Sequence, residues 1–294
     1  MGYTNVQNWR QGDKPKSLRN HLIMNAYYIH YTPLNDRIKV NLPILLQAGI
    51  SPKVVSQYSA DAFFLEGAKS HLQASSKLKQ VIAKQVDIIY AHLKSNIEQL
   101  SPASLPDDIM MYRALLSSVL NPSTNTIEHT CQHLHCIADQ SRSAHSSFIL
   151  VLEDDAFPII PKLLEHLNTM ISELYFDYDY PFFIDLGKGL GLTPNIQSAD
   201  LKNEVQRVES GRTRCSYAYA ISTSACNQLA SLAKDPEFYP YLPSDWYLSL
   251  LLTYLKIPTF WVSSPLFSQG SETGLVKSNQ ANRLGLTLTS DYLQ

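Results

Sequence analysis

Cysteine is scarce in this sequence: Cys131, Cys136, Cys215 and Cys226 are the four thiols of a 294-residue chain. So few in so long a chain do not make the disulfide framework of a small secreted fold, and a reducing, cytoplasmic compartment is the expectation. Long apolar runs are missing too. The longest, at 148–152 and 248–255, are strand-sized or interrupted by polar residues, well short of the roughly 18 residues of a spanning helix. Residues 1–16 are polar and lack the apolar core of a secretory signal. Membrane contact is therefore expected to be peripheral at most, through a local patch at the inner face of the cytoplasmic membrane. Charge is thin, at 17% of residues, and 24 basic against 26 acidic side chains leave a net charge of -2. No global field draws such a chain onto nucleic acid. What is present is a 45% hydrophobic composition with 17 Tyr. That excludes disorder and collagen-like repeats, promises a well-filled core, and favours grooves that stack planar or sugar rings.

The pattern of elements reads as α/β. An apolar run at 26–29 ends in His30-Tyr31-Thr32-Pro33, and Asn35-Asp36 then offers a cap. A helix over 37–48 follows, with Ile38, Leu42, Leu45 and Leu46 near helical spacing and Gly49 as its stop. Val54-Val55 begins a second short strand, so the chain opens as a doubly wound sheet does. Residues 60–121 change character: they are rich in Ala, Lys, Gln, Leu and Ser, and read as a helical insertion within a single 1–294 domain. A helix over 127–141 leads to the run 148–152, a central parallel strand buried on both faces. Further strands are expected at 181–184, 215–222 and 259–262, the last being the final strand. Helices are expected from 161 to about 174, over 223–233 and over 246–255.

Three features carry candidate chemistry. Glu153-Asp154-Asp155 stands at the carboxyl end of the buried strand, where open α/β sheets bind ligands. Adjacent carboxylates repel, and Mg²⁺ or Mn²⁺ is the hard cation that bridges such acids to phosphates; a solvated acidic turn is the plainer alternative. His129 and His133 share a helix face near Cys131 and Cys136, which raises a zinc site. The spacing matches no familiar zinc pattern, so inward packing of the helix is the stronger expectation. Asp245, after Pro243-Ser244, reads either as a helix N-cap or as a general base.

These segments, in this order, resemble glycosyltransferase family 25, which includes bacterial lipopolysaccharide sugar transferases and collagen galactosyltransferases. Ile29-His30-Tyr31 and Arg37 stand at the spacing of the family's Ile-Asn-Leu strand end and its Arg, with His30 in place of the Asn. Glu128, Cys131 and His135 fall on the Glu, Cys and His of its Glu-Ile-Gly-Cys-x-x-Ser-His helix, with Thr130 and Leu134 as departures. Leu152-Glu153-Asp154-Asp155 matches its Leu-Glu-Asp-Asp motif in full. Tyr217 to Ser222, Pro243-Ser244-Asp245 and Pro265 to Ser271 resemble its later segments.

The resemblance implies a GT-A type fold with a Rossmann-like, mostly parallel sheet, flanking helices and the 60–121 insertion. It implies an inverting transfer of a hexose, galactose first among the family's sugars, from a uridine-diphosphate donor to a hydroxyl of a glycan or lipid-linked acceptor. Glu153 and Asp155 are then the ligands of Mn²⁺ or Mg²⁺, and Asp245 is the general base. Ile29, His30 and Arg37 fall on the donor side, together with Glu128, His135, Asp154 and Gln269. The rival classes are a metal-dependent hydrolase or phosphotransferase using the same acids, and a non-catalytic glycan-binding relative.

Overall fold

The computed structural model describes residues 24–56, 124–142, 146–173, 180–187, 205–208, 211, 213, 215–234, 243–271 and 273–276. The polar leader and the insertion expected over 60–121 lie outside them. Strand β3 (Phe148–Glu153) is the organising element. Its residues Phe148 to Leu152 are fully buried, as a continuous apolar run requires. It pairs parallel with β1 (Met24–Ile29), which pairs parallel with β2 (Lys53–Val55).

On its other side β3 meets β7 (Ala218–Ser222), and this pairing is antiparallel, so the central strand is parallel on one side alone. β5 (Phe183–Asp185) pairs antiparallel with β7 and parallel with β8 (Thr259–Val262). β6 (Val205–Val208) closes the edge, antiparallel to β8. The result is a seven-stranded sheet of order β2-β1-β3-β7-β5-β8-β6, in which β7 and β6 run against the other five. The fold is α/β with a mixed, largely parallel sheet.

Period-two alternation divides the core. Ile149 and Val151 of β3, with Tyr219 and Ile221, pack under α2 (Thr124–Ser141), α4 (Thr223–Leu232) and α5 (Ser244–Tyr254). Phe148, Leu150 and Leu152 face the other way, under α1 (Asn35–Gln47) and α3 (Leu163–Glu173). Each large side chain so buried stabilises the fold by about 1.5–3 kcal/mol. A further antiparallel pair, β4 (Ala156–Pro158) with β9 (Phe267–Gln269), lies beyond the end of β3. Strand 259–262 is therefore not the last, and β4, β6 and β9 are too short for periodicity to reveal. No helix among the described residues is long and apolar enough to cross a membrane.

Two helix starts differ from expectation. α1 begins at Asn35 after a 3-10 turn (Thr32–Leu34), and Leu34 takes the N-cap position without a side-chain cap bond. Gly49 does end it, at φ 82°, where a side chain would be strained. Its buried stripe is Arg37, Asn41 and Leu45, while Leu46 is 52% exposed. The polar pair faces inward because α1 lies over the acidic turn. In α5 Pro243 is the N-cap, and Asp245 sits inside the first turn rather than capping it.

Candidate functional site

The chain runs from β1 outward to β2 and later returns to the other side of β1 as β3. The crevice between the carboxyl ends of β1 and β3 is thus the topological switch point, the usual ligand position of an open α/β sheet. His30 and Tyr31 leave β1 there, opposite Glu153-Asp154-Asp155.

Glu153 ends β3 and Asp154-Asp155 form the turn after it, so the three acids go to different sides. Glu153 continues the face of Ile149 and Val151 and meets α2. Asp154 turns towards α1. Its Oδ1 accepts from Arg37 Nη1 at 2.6 Å, and its Oδ2 accepts the Tyr31 backbone N–H at 2.9 Å and lies 3.0 Å from His30 Nδ1. Tyr28 and Asn41 donate to its carbonyl oxygen. Asp154, His30 and Arg37 therefore come together, as a buried clasp between β1, α1 and the turn. Asp154 is consumed by it.

Asp155 takes a third set of partners. Ser271 Oγ donates to its Oδ2 at 2.6 Å, Gln269 Nε2 stands at 3.4 Å, and Arg37 Nη1 is 3.7 Å away. Its Oδ1 is buried and has no hydrogen-bond partner. Burial, with Glu153's charge added, pushes this carboxyl up to about 6. Gly270 fits closely here: a Cβ there would lie 2.3 Å from the Phe157 ring, so any other residue would push the ring aside or shift the chain that presents Ser271.

Glu153 faces the histidines. Its Oε1 lies 3.2 Å from His129 Nε2 and 3.4 Å from His133 Nε2, and Ser216 Oγ donates to it at 3.2 Å. Burial alone would raise this carboxyl, but His129 beside it holds it well below the usual range. His129 feels burial in the opposite sense, and Glu153 overrides it, pushing the imidazole up to about 9. Burial lowers His133. Ser216 shares a hydrogen bond with Ser244 at 2.8 Å, which ties the end of β3 to the start of α5. Asp245 is the next residue. Burial, with a contribution from Glu153, pushes its carboxyl up to about 6, and Trp246 N–H donates to its Oδ1 at 3.0 Å.

The remaining expected residues fall outside this group. Glu128 is exposed near the start of α2. His135, two residues beyond His133, is on the other side of the helix, within electrostatic reach of Asp139, Lys53 and Arg142. Ile29 packs into the core and contributes register with Glu153 rather than a side chain at the turn. Cys131 and Cys136 are buried and free, with thiols pushed up by burial, and do not join the histidines. Asn41 and Ser216 were not anticipated, and Ser271 was expected only as part of the segment 265–271, without a role. The first had a signal, since it lies one turn from both Arg37 and Leu45. No family model matches the chain, and no curated protein matches it significantly.

Proposed function

We propose that the protein is a nucleotide-sugar transferase of the GT-A type, similar to glycosyltransferase family 25, moving a hexose from a nucleotide-diphosphate donor to an acceptor hydroxyl. The observation that carries this reading is the division of labour at the switch point. Asp154 is spent on holding β1, α1 and the turn together, while Glu153 and Asp155 flank it with oxygens turned to other partners. The unpartnered buried Oδ1 of Asp155 fits a cation in this neighbourhood. Of the two carboxylates expected to hold one, Asp155 has this open oxygen while Glu153 is turned to α2, and the cation's chemistry would be charge neutralisation of the donor diphosphate.

This chain's own residues supply the rest. Arg37, fixed by Asp154, keeps a guanidinium charge beside Asp155. Asp245 serves as general base: the acceptor oxygen forms its bond to the anomeric carbon as the bond to the diphosphate breaks, and the hydroxyl proton passes to the Asp245 carboxylate. A single displacement of this kind inverts the anomeric centre. The protein would act at the cytoplasmic side of a membrane if its acceptor is lipid-linked, as in bacterial surface-glycan synthesis.

The test is incubation with a panel of nucleotide sugars, Mn²⁺ and glycan acceptors. Nucleotide release that depends on an acceptor supports transfer, and loss of that release in a folded Asp155→Asn variant ties it to the turn. Release that is indifferent to acceptor would replace this reading with hydrolysis.

A further inference from the structure

His129 and His133 are one helical turn apart on α2 and both direct Nε2 at the same carboxylate oxygen. Among the described residues, the group whose ligand atoms all lie within 4.8 Å of one another is His129, His133 and Glu153. We propose that His129 Nε2, His133 Nε2 and Glu153 Oε1 form a transition-metal site, with Zn²⁺ as the expected occupant. In its position it deepens the transferase reading, by giving Glu153 two imidazole co-ligands in place of Asp155, and its use in transfer rests on that reading. The site itself does not.

Three observations support it. The first is spacing. Metal bonds of about 2.0–2.1 Å in a tetrahedron separate two ligand atoms by about 3.3 Å. The two nitrogen–oxygen distances here are 3.2 and 3.4 Å. The second is an unsatisfied atom. His133 is fully buried, and its Nε2 makes no well-aligned hydrogen bond, its nearest acceptor being Glu153 Oε1 at 3.4 Å. A buried imidazole nitrogen left in this way loses stability unless something accepts its lone pair.

The third is outer support. His129 Nδ1 lies 3.4 Å from Gln132 Oε1, and His133 Nδ1 lies 3.0 Å from Tyr219 Oη. Each ring therefore has an oxygen to receive its Nδ1–H, the tautomer that leaves Nε2 free to bind a metal. His133 is held further by stacking on Tyr219, which itself stacks on Phe183. Two imidazoles favour a late first-row ion over Mg²⁺, which prefers oxygen alone. Three protein ligands leave one tetrahedral position for water or a ligand oxygen.

The experiment is calorimetric titration of the chelator-treated full chain with Zn²⁺ alone, without nucleotide sugar. Binding of a single ion is expected. His129→Gln and Glu153→Gln should each weaken it by at least about 10–100-fold, the loss that even an outer-shell partner causes. His135→Gln, on the other side of α2, should bind as the parent does. Co²⁺ should give the visible absorption of a four-coordinate site, lost in His129→Gln. His129 is partly exposed, so that variant is the principal one, and its melting temperature checks the fold. Unchanged Zn²⁺ affinity in His129→Gln, or no binding by the folded parent, overturns the proposal. Zn²⁺ binding with these variant effects but no sugar transfer upholds the site and ends the transferase reading.

Discussion

Asp154 and Asp245 show how far one carboxylate's surroundings decide its role. Asp154 is 3% exposed and joined to Arg37 at 2.6 Å, so Asp154→Ala takes the nearest carboxylate from a buried guanidinium and leaves it Asp155 at 3.7 Å. That should cost about 1.5–3 kcal/mol, read as a fall in melting temperature. Asp155→Asn, which keeps shape and adds a donor, should leave the fold standing while activity falls; equal destabilisation by both would remove the distinction. For Asp245 the pH dependence has a definite sign. Its carboxyl is raised from 3.8 to about 6 in the folded chain. The folded state therefore keeps a proton that the unfolded state releases. The stability this confers is present below about 3.8 and is lost as pH rises through about 6. As a base it works only when ionised, so turnover should rise with pH through about 6 and level off above. Asp245→Asn should flatten the stability change and lower turnover by about 10²–10⁴. Near-normal turnover in that variant would pass the base role elsewhere. Asp185, at the carboxyl end of β5, would be the next carboxylate to test, and it accepts from the Gly187 and Cys215 N–H groups.

At the scale of elements, α1 is a lever on the acidic turn rather than a simple covering helix. Asn41 Nδ2 donates to the carbonyls of Asp154 and Ala156, at 3.3 and 2.8 Å. Asn41→Leu leaves both without that donor and should cost about 1–3 kcal/mol in urea unfolding. Leu46→Ser, at a position 52% exposed, should stay within about 0.5 kcal/mol. Hydropathy alone ranks these two the other way. The helix period was legible in the sequence, but its phase was not, because the surface that α1 covers is a polar turn built by residues more than a hundred positions away. The same holds for α2. Its i, i+4 histidines were visible as a shared face, yet the third member of the group comes from β3. The nearby cysteines and His135, which sequence proximity favoured, turn elsewhere.

For the whole molecule, the switch-point geometry makes ligand linkage the broadest test. A nucleotide sugar with Mn²⁺ should raise the melting temperature, by an amount equivalent to about 2.7 kcal/mol at 100 times its Kd. No response across uridine, guanosine and cytidine donors would sink the donor site. The sequence by itself determined the α/β class, the buried strand at 148–152 and the acids that end it. Those are local matters: an uninterrupted apolar run has to be covered on both faces, and the charges that stop it have to emerge at a strand end. Only the tertiary structure decided which acid does what. Pairing of β3 with β1 brought Asp154 to Arg37, pairing of β4 with β9 brought Ser271 to Asp155, and packing of α2 on the opposite face brought two histidines to Glu153. Three consecutive carboxylates are nearly equivalent in a sequence. They become distinct when the strand end and the turn after it carry each towards a different partner, because a buried charge takes its properties from the groups within a few ångströms of it.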